Sequence, residues 1–503
     1  MIAGSAARLL LVLAICSVAS PATAAKEIDS VRAGKFRFGA MAIGQAKDVD
    51  YARAEGLGLV PTSPMNAYLN GILAKLVAQS PMQGVPARVY VRASGDWAAK
   101  TTADANIYVA LGTLLRVDDE DEVAALLAHE TAHVILGHAD ADIVQDVQAR
   151  AIQLSSLAFE TRDLVAGVAS GSGTAKSGGD SARVKEQSRA LLLNTTLIAP
   201  AWTRDQERTA DLLGTDLLVR AGYSPQAMVS LLKKQASFET ERAADPQAQS
   251  LDKQLSAFGL DVNEETSKQT SKVTEGTGAA AEGIGALAGA ALGKALEWGS
   301  QKVTVAQSSH PKTKERIADV DGYIEREYAD SGKKAAQVES WDAAKEQDGT
   351  VDILESYIAA IEAKGKLGDG DVAGAGRLSK TSLLGPTRTH AYPNYVDAAV
   401  KIAQGSSPAA LADYESALSG PEPAGAIYTE ASALYLQSGK PDKARTVIEG
   451  GYARLHEPPS LTVPLIRTYR ALGRQADADR VATKCAARWP KMQTLCSGAA
   501  KGE

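Results

Sequence analysis

Five residues, His129-Glu130-Thr131-Ala132-His133, spell H-E-x-x-H inside a run of helical periodicity from Glu120 to His138. On a helix, residues four apart stack on one face, one turn from each other. Two imidazoles so placed can hold one zinc ion, and the glutamate between them can act as a base towards water. The chain has six histidines among its 503 residues, so this spacing rarely arises by chance. The surrounding helix is apolar, where an unpaired imidazole is costly.

Two histidines do not complete a catalytic zinc site; a third ligand is needed, with one position left open. One common layout puts a third histidine six residues after the second, beyond a helix-breaking glycine. That position is Ala139 here, and Gly137 and His138 are out of phase with the layout. In the long-spaced layouts a glutamate follows by about twenty residues, where this chain has Ile152 and Gln153. The remaining layout puts the glutamate far downstream on another helix, with an aspartate one turn later. Asp205-Gln-Glu207-Arg-Thr-Ala-Asp211 fits it. Glu207 would bind zinc, and Asp211, on the same helix face, would accept the ring N–H of a ligating histidine and fix its tautomer. The rival pair, Glu160 and Asp163, lacks the four-residue spacing. His138, His390 and His456 read as structural or solvated.

These residues need elements to carry them. Ser63-Pro64 reads as a helix start, serine as N-cap and proline in the first turn. Met65, Leu69, Ile72, Leu73, Leu76 and Val77 form its apolar stripe. Arg88-Val-Tyr-Val-Arg92 and Asn106-Ile-Tyr-Val-Ala-Leu111 read as strands, the second ended by Gly112. The H-E-x-x-H helix begins near Asp118. After a glycine- and serine-rich loop at residues 170–179, a helix from about Thr203 carries Glu207 and Asp211 and is closed by Gly222, with Pro225 beyond. Residues 26–60 show no clear pattern.

The chain opens with Arg8, the apolar run Leu9 to Ile15, and Pro21-Ala-Thr-Ala24. This is a secretion signal, residues 1–24, with cleavage expected after Ala24. The run is too short to span a bilayer, and Ile15 is too bulky for a lipoprotein site at Cys16. Of the three cysteines, only Cys485 and Cys496 follow the signal. In an exported chain they are expected to form a disulfide. The formal charge of −6 carries no basic block, so nucleic acid is not an expected partner. In residues 276–299, Gly285, Gly289 and Gly293 recur among alanines and leucines, but only eleven uncharged residues separate Glu282 from Lys294. That is too few for a membrane span; close packing, a lid or contact with a membrane surface are the available readings.

The C-terminal part repeats. Gly405, Gly439 and Gly473 are 34 residues apart, as are Ala410, Ala444 and Ala478, and Tyr435 and Tyr469 keep the same spacing. Such a period marks stacked helix-turn-helix units of the tetratricopeptide type, with residues 351–378 a degenerate first unit.

Three ordered motifs together resemble a known family: His129-Glu-Thr-Ala-His133; Glu207-Arg-Thr-Ala-Asp211 with Arg220-Ala-Gly-Tyr-Ser-Pro225; and Ser309-His-Pro-Lys-Thr-Lys-Glu-Arg-Ile317. The chain resembles the zincin metallopeptidase family that includes the CAAX prenyl protease, the membrane protease HtpX and periplasmic BepA. The signal and the C-terminal repeats are similar to the BepA-like branch. The resemblance gives His310 the place of a histidine that approaches the zinc and occludes it, and Arg316 the place of an active-site arginine. The stretch Asp96 to Asn106 departs from the family's usual Asn-Ala entry to the second strand.

The sequence reading is therefore a mainly α chain. A zinc metallopeptidase domain with a small sheet, residues 25–335, precedes an α-helical repeat domain, residues 351–503. One zinc ion would be held by His129, His133 and Glu207, with Asp211 behind them and Glu130 as acid–base. His310 or Arg316 would support the oxyanion, and residues 107–111 would offer an edge strand to extended substrate. The expected role is endoproteolysis of misfolded or assembling envelope proteins in the periplasm, with protein partners on the repeats. The alternative is an assembly factor or chaperone with a latent protease site.

Overall fold

The computed structural model describes residues 28, 29, 31, 43–55, 58–82, 86–138, 198–200, 204–244, 303–305, 313–331 and 335–502. The signal segment, the 170–179 loop, Glu160 and Asp163, the 276–299 glycine segment and His310 lie outside these residues.

The first helix, α1 (Gln45–Ala54), has no counterpart in the sequence reading. Helix α2 (Ser63–Ala78) follows, with Thr62, not Ser63, as its N-cap residue and Pro64 in the first turn. Strands β1 (Arg88–Arg92), β2 (Ala99–Thr101) and β3 (Asn106–Ala110) form one sheet in the order β1-β3-β2, with β1 parallel and β2 antiparallel to β3. This corrects one expectation. The strand at 106–110 is the centre of the sheet, paired on both sides, and cannot be an edge for substrate. On the outer side of β1, Val60 N–H donates to Val91 O and Ala93 N–H to Gly58 O, so β2 is the outer strand at the other side.

After β3 comes a one-turn helix, α3 (Leu111–Leu114). Any side chain at Gly112 would meet Gly95 O at 2.1 Å, so this turn needs glycine to approach the β1–β2 loop. Helix α4 (Glu120–Ile135) is buried along its whole length, as a helix with apolar residues on every side should be. Its N-terminus is tied down by charge and hydrogen bonds. Asp119 accepts from Glu122 N–H at 2.8 Å, and the Glu122 carboxylate accepts from Asp118 N–H at 2.7 Å. Glu120 accepts from the Tyr68 and Tyr223 hydroxyls, which joins α2 and the later helices to α4. Acidic groups at this end also match the helix dipole.

Strand β4 (Ile198–Pro200) pairs antiparallel with β5 (Val303–Val305). Between them in sequence lie α5 (Arg204–Arg220) and α6 (Gln226–Ala244), and α7 (Thr313–Glu327) follows. Helix α5 ends in a left-handed glycine: Gly222 has φ +91°, and Tyr223 N–H returns to Leu218 O at 2.9 Å. Helices α5, α6 and α7 pack on one another, and α5 and α6 also pack on α4. A short helix, α8 (Val338–Glu346), leads on; its buried Trp341 donates to Val117 O.

The rest is helical hairpins: α9 (Val351–Gly368) with α10 (Val372–Ser382), α11 (Ala391–Ala403) with α12 (Ser407–Ser419), α13 (Gly425–Gln437) with α14 (Pro441–Arg454), and α15 (Pro459–Ala471) with α16 (Gln475–Arg488). A last helix, α17 (Gln493–Lys501), closes the end. Each hairpin turns at a glycine with positive φ: Gly370, Gly405, Gly439 and Gly473, at +79°, +80°, +68° and +68°. In all four, the next residue's N–H bonds back to the helix: Asp371 to Lys366 O, Ser406 to Lys401 O, Lys440 to Tyr435 O and Arg474 to Tyr469 O. Ala375, Ala410, Ala444 and Ala478 are fully buried where the hairpin helices pack closely. A disulfide joins Cys485 of α16 to Cys496 of α17.

The first helices of the hairpins lie against the N-terminal part. Side chains at Gly95 and Gly58 would meet Ile361 of α9 and Tyr392 of α11, each at 2.9 Å. Ala54 O, at the end of α1, accepts from Ser460 Oγ of α15 at 2.8 Å, and α1 also places Asp50 2.7 Å from His456 Nδ1. One apolar core runs from the α2–β-sheet–α4 layers through α5 to α7 and into the first three hairpins. No helix among the described residues is long and apolar enough to cross a membrane.

Candidate metal centre

Helix α4 presents His129 and His133 one turn apart, 5% and 0% exposed. Helix α5 crosses against them at Gly214. A side chain there would lie 3.1 Å from His129 N and 2.9 Å from the Met228 methyl, so glycine favours this close approach of the two backbones. The crossing brings Glu207 and Asp211, both buried on one face of α5, to the imidazoles.

His129 Nε2 and His133 Nε2 are 3.1 Å apart. Glu207 Oε2 is 3.6 Å from His129 Nε2, and its Oε1 is 3.5 Å from His133 Nε2. Among the described residues this is the one group of three or more His, Cys, Asp or Glu side chains positioned to share an ion. A tetrahedral zinc with bonds of about 2.0–2.1 Å has ligand–ligand edges of about 3.3 Å. The three separations bracket that length. Two imidazole nitrogens and one carboxylate also form the donor set of a catalytic zinc, with one position left for substrate or water. The residues present therefore fit the ion.

The groups behind the ligands are specific. His129 Nδ1 is 2.9 Å from Asp211 Oδ1, the tautomer-fixing contact expected from the sequence. Burial alone would lower the His129 pKa, but the Asp211 hydrogen bond and the Asp211 and Glu207 charges raise it. For His133 burial dominates and pushes its pKa down to about 3, although Glu207 acts to raise it. Its Nδ1 faces His138 Nδ1 at 2.9 Å, and burial takes the His138 pKa down to about 4. Both rings are neutral at neutral pH, the form in which histidine binds metal. His138, read from the sequence as structural or solvated, thus touches a candidate ligand. Away from the centre, in the links between helical hairpins, His456 pairs with Asp50 of α1, and His390 stacks edge-on with Tyr357 of α9.

Arg316 reaches this centre from α7. Its Nε and Nη2 donate to Asp211 Oδ2 and Oδ1 at 2.8 and 2.7 Å, and its Nη1 is 3.0 Å from Glu207 Oε2. The guanidinium is 5% exposed and engaged with both carboxylates. It holds the acids of the site. Burial would raise the Asp211 pKa, yet the Arg316 charge and hydrogen bonds hold it below the usual carboxylate value. Burial also opposes the Arg316 charge, but Asp211 and Glu207 drive its pKa upward. Glu130 is 2% exposed and lies between the two histidines on α4.

The arrangement defines a zincin-type hydrolase centre: two helices, two imidazoles, a distant carboxylate and an intervening glutamate. A family model for peptidase family M48 matches residues 63–324, more than half of the chain. The chain belongs to peptidase family M48. The match runs from the first residue of α2 into α7 and so covers every element that builds the centre.

Proposed function

We propose that this protein is a zinc-dependent endopeptidase of the periplasm that cleaves misfolded or assembling envelope proteins. The observation that carries the reading is the buried His129–His133–Glu207 group with Glu130 on the same helix turn. His129, His133 and Glu207 would hold the ion, which supplies Lewis acidity towards water and the scissile carbonyl. Asp211 orients His129, and Arg316 favours the ionised form of Asp211 and holds Asp211 and Glu207 in place. Glu130 takes a proton from the attacking water and returns it to the leaving amine. The helical hairpins, read as tetratricopeptide-type repeats, would position protein partners, and His310 would close the site at rest. The secretion signal and the disulfide support an extracytoplasmic setting.

The test is a substrate trap. Glu130→Gln removes the base but leaves the three ligands, so the variant should co-purify with envelope proteins that the wild type releases as fragments. An identical set of full-length partners on both forms would refute proteolysis and favour a binding role.

A further inference from the structure

In the metal centre, the two Nε2 atoms point at each other and at Glu207, so each Nδ1 points away into protein. A neutral imidazole that gives its Nε2 lone pair to a metal carries its proton on Nδ1. A buried N–H needs an acceptor; leaving it unsatisfied costs about 1–3 kcal/mol. For His129 the acceptor is Asp211. For His133 the neighbouring atom is a nitrogen of another histidine, His138 Nδ1, at 2.9 Å.

This contact is built into the end of α4. Gly137 has φ +69°, a left-handed residue that stops the helix. Gly137 N–H then donates to Val134 O at 3.1 Å, and His138 N–H donates to His133 O at 3.0 Å. These two bonds form a Schellman cap, which folds the residue after the glycine back over the residue five before it. Here those residues are His138 and His133, and their rings meet edge to face with centroids 5.0 Å apart. The motif that terminates the helix thus also delivers a ring nitrogen to a candidate metal ligand.

We propose that His138 is a positioning residue for the metal: its Nδ1 accepts the Nδ1 proton of His133, fixes the tautomer that frees His133 Nε2, and holds the ring in the plane the ion requires. Its own proton then sits on Nε2. His138 does for His133 what Asp211 does for His129, with a neutral acceptor in place of a charged one.

The inference rests on the reading of His129, His133 and Glu207 as zinc ligands, and the test separates the two. Zinc affinity is measured by chelator competition on the full chain for wild type, His138→Phe and His138→Asn. Melting of the metal-free forms serves as the control. Phenylalanine keeps the ring packing and removes the acceptor; asparagine returns an acceptor oxygen on a short side chain. Loss of such an outer contact typically weakens metal binding 10–100-fold. His138→Phe is expected to fall in that range with metal-free melting unchanged, and His138→Asn to recover most of the affinity. Zinc binding by His138→Phe within twofold of wild type would overturn the role of His138, as would an asparagine variant no tighter than phenylalanine. A wild type that binds no zinc would instead overturn the metal centre itself.

Discussion

Replacing Arg316 with methionine tests how the centre is held before any metal binds. Methionine keeps most of the side-chain volume and removes the cation. In the metal-free protein it takes the guanidinium away from Glu207 and Asp211, which are 0% and 1% exposed. Breaking a buried pair from one side costs about 3–5 kcal/mol, because an uncompensated charge stays behind. For a domain of this size, one kcal/mol moves the melting temperature by roughly 2–4 °C, so a loss of about 10 °C is expected without metal. A bound divalent ion supplies the missing positive charge, so the gap should shrink in saturating zinc. The pH dependence has a definite sign. Arg316 holds the folded Asp211 pKa below its ordinary value of 3.8, so its stabilisation is complete above that pH. It is lost as pH falls through the depressed folded value. Calorimetry with and without chelator, from pH 7 down to pH 3, reads all three effects. Metal-free Arg316→Met melting within a degree or two of wild type at neutral pH, or a gap that widens in acid, would refute the reasoning.

Other perturbations address other links. Gly214→Val inserts atoms where α5 touches His129 N and the Met228 methyl; overpacking of this kind costs about 1–3 kcal/mol. Zinc content in titration should fall with it. Cys496→Ser opens the loop between α16 and α17; closure of a loop this short is worth about 3 kcal/mol on a chain-entropy basis. Hydrogen exchange should therefore rise in α15 to α17, while zinc content stays the same. If His310 occludes the centre at rest, His310→Ala should raise hydrolysis of unfolded casein; a fall with zinc retained would assign it to the oxyanion instead.

The parts legible in the sequence were those set by local periodicity. His129 with His133, and Glu207 with Asp211, are four-residue spacings, so each pair shares a helix face whatever the tertiary fold. The pairing of the two helices came from matching layouts, and Gly214 is the physical reason it works. What escaped depended on geometry that spacing does not encode. His138 is off the helical register and reaches His133 only because Gly137 adopts positive φ. The Arg316 partners depend on how α7 packs against α5. The strand at 106–110 read as an edge because its non-local parallel partner, β1, leaves no mark within it. Gly370 turns the first hairpin but falls one residue off the 34-residue period, which makes that unit look degenerate. Helix α1 has a weak apolar stripe because much of its burial is polar: Asp48 accepts from Thr102, Asn106 and Tyr108.

Zinc bound by His129, His133 and Glu207, with Glu130 as the base for hydrolysis, is what remains to be measured. The most direct measurement is metal content and casein cleavage, side by side, for wild type, Glu130→Gln and Glu207→Ala. One zinc per chain is expected in wild type and Glu130→Gln and none in Glu207→Ala, with cleavage by wild type alone and the glutamine variant slower by about 10²–10⁴-fold or more. Stoichiometric zinc in Glu207→Ala, or wild-type cleavage by Glu130→Gln, would contradict it.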